Sequence, residues 1–317
     1  MDHTPTAHHN IEGSSDAERK GHTIVYIWDM DETLILLKSL LDGTYAQSFN
    51  GSKDLRKGIE IGKYWENLIL EICDKYFYYE QIENYNEPFL NSLSKYDDGK
   101  DLSDYDFNND GFSHPYDDAN KRKLAYRHRM IREKYAKGLR DVLDQQMKTR
   151  WDDLYNLTDS YTDGWLSSGR AFLVQASGRN KLVAPRLGSS DTLSGSDTKC
   201  QDINVLVTSG SLIPSLVKLL LFRLDDLILH DNVYSSWEVG KLQCFKWIKE
   251  CFGGPGVRFC VIGDGMEECD AAQRMNWPFI KIDLHPGGPH RFPGLTVKMV
   301  DHYIDVIYAP HDSGNRQ

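Results

Sequence analysis

The apolar positions of the chain follow two different periods. Short apolar or β-branched runs predict buried strands, and the first of them has no polar interruption. The predicted strands cover residues 23–28, 203–207, 232–235, 258–262 and 278–282. Apolar residues at helical spacing fill two of the intervals, at 212–224 and 242–251. Strands that alternate with helices at this pitch predict an α/β fold, with a parallel sheet and helices on both of its faces.

The interval between the first two predicted strands has a different pattern. Helical spacing of apolar residues recurs over residues 59–77, 124–142 and 151–165, whereas residues 91–120 are rich in Asp, Asn, Ser and Gly and predict a long polar loop. We therefore predict an α/β core that is interrupted by a mainly helical insertion. The predicted segments are a disordered tail at 1–21, a core at 22–45 and 195–317, and an insertion at 46–194.

Composition narrows the possible partners and compartments. The 317 residues carry a formal net charge of −10, which disfavours direct binding to nucleic acid or to an anionic membrane. No apolar stretch reaches the ~18 residues of a membrane span, and the polar N-terminus does not resemble a secretory signal. The six cysteines form no C-x-x-C pair, which favours reduced thiols in the cytoplasm or nucleus.

Two aspartates follow the first predicted strand, in the stretch IVYIWDMDET. Asp29 and Asp31 are two residues apart, so both carboxylates can face one site at the carboxyl edge of the sheet. Such close carboxylates repel each other unless a cation neutralises them or one keeps its proton. The alternative is a capping pair at the end of the strand, with Glu32 and Thr33 as local hydrogen-bonding groups.

Three later positions carry groups that can bind phosphate or metal. Thr208 ends the second predicted strand just before a helix, where backbone N–H groups favour an anion, although Ser209 or Ser211 could simply cap that helix. Lys241 begins a helix, where the helix dipole disfavours a cation unless an anion such as phosphate lies nearby. The alternative interpretation is that Lys241 is a solvated surface lysine.

Asp264 follows the fourth predicted strand, between two glycines. It adds a hard oxygen ligand of the kind that Mg²⁺ prefers. The alternative is an ordinary turn, with Glu267 and Glu268 favouring the start of the next helix. Each of the four positions is weak evidence alone, but together they provide the groups needed for phosphoryl transfer.

The order of these motifs resembles that of the haloacid dehalogenase superfamily. The D-x-D-E-T form of the first motif and the long helical insertion after it resemble those of the Eyes absent family in particular. The similar stretches are WDMDET, SLLDGTYAQSF, YDFNNDGF, RKLAYRHRMIREKY, NVLVTSGSLIPSLVKLLL and VIGDGMEE. The resemblance implies a haloacid-dehalogenase-like (Rossmannoid) parallel sheet with a helical-bundle insertion between the first and second motifs.

The resemblance also implies a function and residue roles. The expected activity is that of a Mg²⁺-dependent protein-tyrosine phosphatase that acts on phosphotyrosyl proteins or peptides. Asp29 would be the nucleophile that forms an aspartyl-phosphate, and Asp31 the general acid and base. Thr208 and Lys241 would bind the phosphoryl oxygens, and Mg²⁺ would be held by Asp29, Asp264 and the backbone carbonyl of Asp31.

Two other functions remain open at this stage. The same motifs would serve a phosphatase for phosphoserine or a small phosphorylated metabolite, because they contact only the phosphoryl group. Alternatively, the chain could be a transcription-cofactor module that docks a transcription factor. About twenty residues precede the first predicted strand, so we expect the catalytic domain alone, without the N-terminal transactivation region of animal members.

Overall fold

Five parallel strands form the sheet on which the candidate residues lie. The structure, a computed structural model, describes residues 22–110, 117–178 and 202–309. The strands are β1 (Thr23–Trp28), β2 (Ile203–Thr208), β3 (Val233–Ser235), β4 (Val257–Gly263) and β5 (Phe279–Lys281). Their order in the sheet is β3-β2-β1-β4-β5, and every pair is parallel. β1 is central, with Ile27 level with Val205 on one side and Val261 on the other.

The helices are listed here with their bounds. Those before β2 are α1 (Lys38–Leu41), α2 (Thr44–Gln47), α3 (Leu55–Phe77), α4 (Tyr79–Ile82), α5 (Asp118–Lys137), α6 (Gln145–Tyr161) and α7 (Trp165–Ala176). Those after β2 are α8 (Leu212–Leu221), α9 (Lys241–Phe252), α10 (Met266–Met275) and α11 (Val297–Tyr308).

Alternating side chains of the strands build a core on each face of the sheet. Val25 and Ile27 pack with buried residues of α9 and α10 on one face. Tyr26 and Trp28 pack on the other face with α7, α8 and α11. Burial on both faces explains why the strands are mainly apolar and show no strict alternation with polar residues. The predicted α/β fold with helices on both faces is therefore confirmed.

The helices between β1 and β2 pack directly on the sheet and its helices. α3 packs on α8, and the ring of Phe172 on α7 meets Trp28 of β1 edge to face at 5.2 Å. A single cluster of buried residues extends from the sheet into α3, α5 and α6. The insertion thus shares its apolar core with the α/β part. The predicted tail, with residues 111–116, 179–201 and 310–317, lies outside the described residues.

Two helix predictions differ from the structure. The stretch read as one helix at 151–165 belongs to α6 and α7, which are separated at Gly164, where φ is +86°. The helix predicted to reach residue 142 ends at Lys137, because Gly138 has φ +77°. Both breaks occur at a glycine with positive φ, a conformation that other residues rarely adopt.

Residues 91–110 contain one short 3-10 helix at Ser94–Tyr96 and otherwise turns and extended segments, as a polar loop predicts. Within the described ranges, no helix is long and apolar enough to cross a bilayer. The five described cysteines are free thiols.

Candidate active site

The four motif positions meet at one edge of the sheet. Asp29 follows β1, Thr208 ends β2, Asp264 follows β4, and Lys241 begins α9. The sheet is parallel, so the carboxyl ends of its strands and the N-termini of the following helices lie on the same side. Topology alone therefore gathers residues that are more than 200 positions apart in sequence.

Lys241 is buried between two carboxylates. Its Nζ lies 2.6 Å from Asp29 Oδ1 and 2.9 Å from Glu268 Oε2, and its side chain is only 3% exposed. The alternative of a solvated surface lysine is therefore wrong. Burial lowers the pKa of Lys241, but Asp29 and Glu268 more than offset this and raise the pKa above its ordinary value. Lys241 thus stays charged beside the carboxylate of Asp29.

Asp29 is in an unfavourable environment for a carboxylate. Burial raises its pKa to about 7, Lys241 opposes that rise, and the charge of Glu268 adds to it. Asp264 is partly buried, and both its burial and Glu268 raise its pKa as well. Carboxylates with raised pKa values at one site are stabilised by any further cation that binds there.

Glu268 is the functional candidate that the sequence analysis missed. The sequence predicts Glu268 at the start of a helix, and it does occupy the first turn of α10, where its carboxylate accepts a hydrogen bond from the Gly265 N–H. The same carboxylate also binds Lys241 and is almost fully buried. A glutamate in the first turn of a helix has an ordinary explanation, and only the tertiary structure shows the buried ion pair.

Three carboxylates provide a possible metal site. Oxygens of Asp29, Asp264 and Glu268 all lie within 4.8 Å of one another. With Asp31 they make four carboxylates, against the ammonium groups of Lys241 and Lys218. The surplus of carboxylates over lysines and the hard oxygen donors fit a divalent cation such as Mg²⁺. Of the predicted metal ligands, Asp29 and Asp264 belong to this cluster.

The carboxylate of Asp31 lies apart from that cluster. Both of its oxygens accept hydrogen bonds from Lys218 Nζ on α8, at 2.7 and 2.9 Å. The two aspartates of the D-x-D motif are thus bound by different lysines. The expected contact of the Asp31 backbone carbonyl with the metal stays a prediction.

A tight turn directs the chain between the two aspartates and α1. Glu32 has φ +62°, in the left-handed region, and its buried carboxylate accepts hydrogen bonds from the N–H groups of Leu37 and Ser39. The Thr33 hydroxyl donates to Asp29 Oδ2 at 3.4 Å, and the indole of Trp165 donates to the Thr33 carbonyl. The local hydrogen bonds expected of Glu32 and Thr33 therefore exist beside the ion pairs of the aspartates.

Thr208 lies between β2 and α8, and Asn86 of the insertion caps the N-terminus of α8. Its hydroxyl accepts a hydrogen bond from the Gly210 N–H at 3.1 Å. Ser211 occupies the N-cap of α8 without capping it through its side chain. Instead, Asn86 Oδ1 accepts from the Leu212 N–H at 2.8 Å. No sequence signal points to Asn86, which lies 126 residues before the first residue of the helix that it caps.

Comparison with known proteins gives consistent similarities. No family model matches the chain. It is 61% identical to the protein phosphatase EYA of Arabidopsis thaliana, over 92% of this chain and 93% of that protein. It is 32% identical to human protein phosphatase EYA2 and 31% identical to the Drosophila melanogaster protein phosphatase eya, each over 86% of this chain. These matches span 48% of the human and 35% of the fly protein, so the chain corresponds to less than half of either.

Proposed function

Because the chain belongs to the Eyes absent family of protein phosphatases, we propose that it is a Mg²⁺-dependent protein-tyrosine phosphatase that acts through an aspartyl-phosphate. The family has the haloacid dehalogenase fold, in agreement with the parallel five-stranded sheet. The observation that carries the proposal is the buried Lys241, held between Asp29 and Glu268. Burying a charged lysine beside a carboxylate costs desolvation free energy and contributes little to stability. The same lysine is useful in a site that binds a phosphoryl group, because it neutralises negative charge there.

The chemistry can be assigned to residues. Asp29 would attack phosphorus in line with the leaving oxygen, so that a bond from its carboxylate oxygen forms as the ester bond breaks. Asp31 would give its proton to the leaving oxygen and then take one from the water that hydrolyses the aspartyl-phosphate. Lys241, the Thr208 hydroxyl and backbone N–H groups before α8 would bind the equatorial oxygens.

The metal would be held by residues of the same edge. Asp29, Asp264 and the Asp31 backbone carbonyl are the proposed ligands, and Glu268 lies close enough to hold Lys241 and to orient the site. Bound Mg²⁺ would supply charge that offsets the repulsion between phosphate and the carboxylates.

Exposed apolar side chains beside the site support an aromatic substrate. Trp237 is 66% exposed, and it follows Ser236, which donates hydrogen bonds to the Thr208 carbonyl through both its N–H and its hydroxyl. Met266, two residues after Asp264, is 67% exposed. Such side chains suit contact with the ring of a phosphotyrosine and with apolar neighbours in a peptide. They favour a phosphotyrosyl protein over a small, polar metabolite.

The test of catalysis compares two carboxylate variants. With Mg²⁺ and a phosphotyrosyl peptide, Asp29→Asn should lower kcat at least about 10³-fold, because the nucleophile is lost. Asp270→Asn makes the same chemical change at an exposed position of α10 and should retain activity. EDTA should abolish the wild-type rate and added Mg²⁺ should restore it. Undiminished hydrolysis by Asp29→Asn would contradict the mechanism.

The test of specificity uses the same enzyme with three substrates. We expect kcat/KM to be highest for a phosphotyrosyl peptide, lower for the matched phosphoseryl peptide and lowest for a small phosphorylated metabolite. Trp237→Ala should raise KM several-fold for the phosphotyrosyl peptide, whereas Leu70→Ala, at an exposed leucine of α3, should not. Equal kcat/KM for the two peptides would reject the tyrosine preference. A transcription-factor partner and a cytoplasmic or nuclear location stay predictions.

A further inference from the structure

Lys218 contacts the second aspartate of the D-x-D motif, whereas Lys241 contacts the first. Its Nζ lies 2.7 Å from Asp31 Oδ1 and 2.9 Å from Asp31 Oδ2, so one ammonium group binds both oxygens of the carboxylate. The proposed mechanism assigns Asp31 a proton transfer but assigns Lys218 nothing. The Asp31 side chain is 35% exposed, as a group that must meet substrate and water requires.

The position of Lys218 follows from the direction of side chains on a helix. α8 starts four residues after Thr208, and helical side chains lean toward the N-terminus of their helix. Lys218, two turns into α8, therefore reaches back toward the edge of the sheet. α8 packs on α3, where the Lys218 ammonium partly counters the burial that raises the pKa of the Cys73 thiol to about 12. The Lys218 side chain is only 14% exposed.

A contribution to stability does not account for this pair. The Asp31 side chain is 35% exposed, and ion pairs with a partly exposed partner contribute about 0–1 kcal/mol to the free energy of unfolding on average. What the pair does supply is orientation, because two hydrogen bonds to one ammonium group remove the rotational freedom of the Asp31 carboxylate. A carboxylate held in this way presents its oxygens in a fixed direction to a water molecule that approaches the aspartyl-phosphate.

We propose that Lys218 is a positioning residue that orients the Asp31 carboxylate for the hydrolysis of the aspartyl-phosphate. In that step Asp31 accepts a proton from water, the oxygen of that water forms a bond to phosphorus, and the bond from phosphorus to Asp29 breaks. Inorganic phosphate and a free Asp29 carboxylate result. The inference rests on the proposed function and adds to it the residue that controls the second half of the reaction.

The kinetic consequence separates the two halves of the reaction. Departure of p-nitrophenolate needs little help from an acid, so formation of the intermediate from p-nitrophenyl phosphate should be nearly independent of Lys218. With Lys218→Met, kcat should fall about 10-fold or more, whereas kcat/KM should change less than about 3-fold, because it reports only steps up to formation of the intermediate. The intermediate then accumulates, and rapid mixing should show a burst of p-nitrophenol close to one equivalent of enzyme.

Three variants complete the experiment, each checked for folding by circular dichroism. Lys218→Arg keeps the charge and should recover part of kcat. Lys246→Met removes an exposed lysine of α9 and should leave both constants unchanged. Equal losses in kcat and kcat/KM of Lys218→Met without a burst, or an unchanged kcat, would overturn the role of Lys218 while the wild type still hydrolyses the substrate through Asp29. A wild type without phosphatase activity would overturn the proposed function and, with it, this inference.

Discussion

Gly263, at the end of β4, leaves room for the carboxylate that holds Lys241. A Cβ at position 263 would lie 2.6 Å from Glu268 Oε1 and 2.8 Å from Glu268 Cγ, closer than real side chains approach. Glu268 cannot easily move, because Lys241 and the Gly265 N–H hold its carboxylate. We predict that Gly263→Ala lowers the free energy of unfolding by about 1–3 kcal/mol and lowers kcat/KM at least about 10-fold.

Gly254→Ala is the matched control for this prediction. Nothing lies within 4 Å of a Cβ at position 254, so the same change should leave activity and urea denaturation almost unchanged. If Gly263→Ala unfolds at the wild-type urea concentration and keeps full kcat/KM, Glu268 does not need its observed position. The comparison therefore measures what the buried ion pair contributes.

Sequence position explains which site residues could be predicted. Asp29, Thr208, Lys241 and Asp264 each lie where a strand ends or a helix begins, so the α/β pattern alone brings them to one edge. Glu268 and Lys218 lie inside helices, and residues on helices have many ordinary roles. Their partners are set by side-chain direction and packing across more than one element, and the hydrophobic pattern carries no information about that.

α8 is an element whose start depends on the insertion. Asn86 accepts a hydrogen bond from the Leu212 N–H and donates one to Ser235 Oγ at 3.1 Å. Ser235 in turn donates to the Gly210 carbonyl, in the loop after Thr208. We predict that Asn86→Ala lowers the free energy of unfolding by about 1 kcal/mol, as the loss of a cap does, and raises KM several-fold because the loop after Thr208, which we propose binds phosphate, loses support.

Two further variants separate the contacts of Asn86. Asn86→Asp keeps the acceptor for α8 but loses the donor to Ser235, so we expect most of the stability to return. Asn108→Ala removes an exposed asparagine side chain of the same insertion, whose only described hydrogen bond is the one it accepts from Gln81, and should change stability by less than about 0.5 kcal/mol. Thermal denaturation and steady-state kinetics measure both quantities. A KM that is unchanged in Asn86→Ala would show that the loop needs no such support.

Strands were easier to predict than helices for a physical reason. β1 spans the predicted residues, and each other strand differs by one residue at one end or at both, because burial on both faces gives mainly apolar runs with sharp limits. The helical period, by contrast, continues across the break between α6 and α7, since both helices bury a face against the same core. The short helices α1 and α2 have no periodic signal at all.

The molecule as a whole joins insertion and sheet through one apolar core. The Trp65 ring on α3 lies 4.2 Å from that of Phe222, just after α8, and Trp151 of α6 donates its indole N–H to the Leu221 carbonyl. The proposed division into a core at 22–45 and 195–317 and an insertion at 46–194 stays a prediction. With contacts this extensive, we expect the two parts to unfold together.

The excess negative charge of the site links metal binding to the stability of the whole molecule. Four carboxylates face two lysines there, and the chain carries a net charge of −10, so metal-free protein bears uncompensated repulsion. We predict that Mg²⁺ at about 100 times its Kd stabilises the wild type by about 2.7 kcal/mol, visible as a Tm higher by several degrees.

Two variants test whether this gain comes from the site. Asp264→Asn should lose most of the gain in Tm, whereas Asp270→Asn, at an exposed position, should keep it. Scans at matched ionic strength remove general screening from the comparison. An equal rise in Tm for Asp264→Asn would mean that Mg²⁺ acts on the overall charge and not at this site.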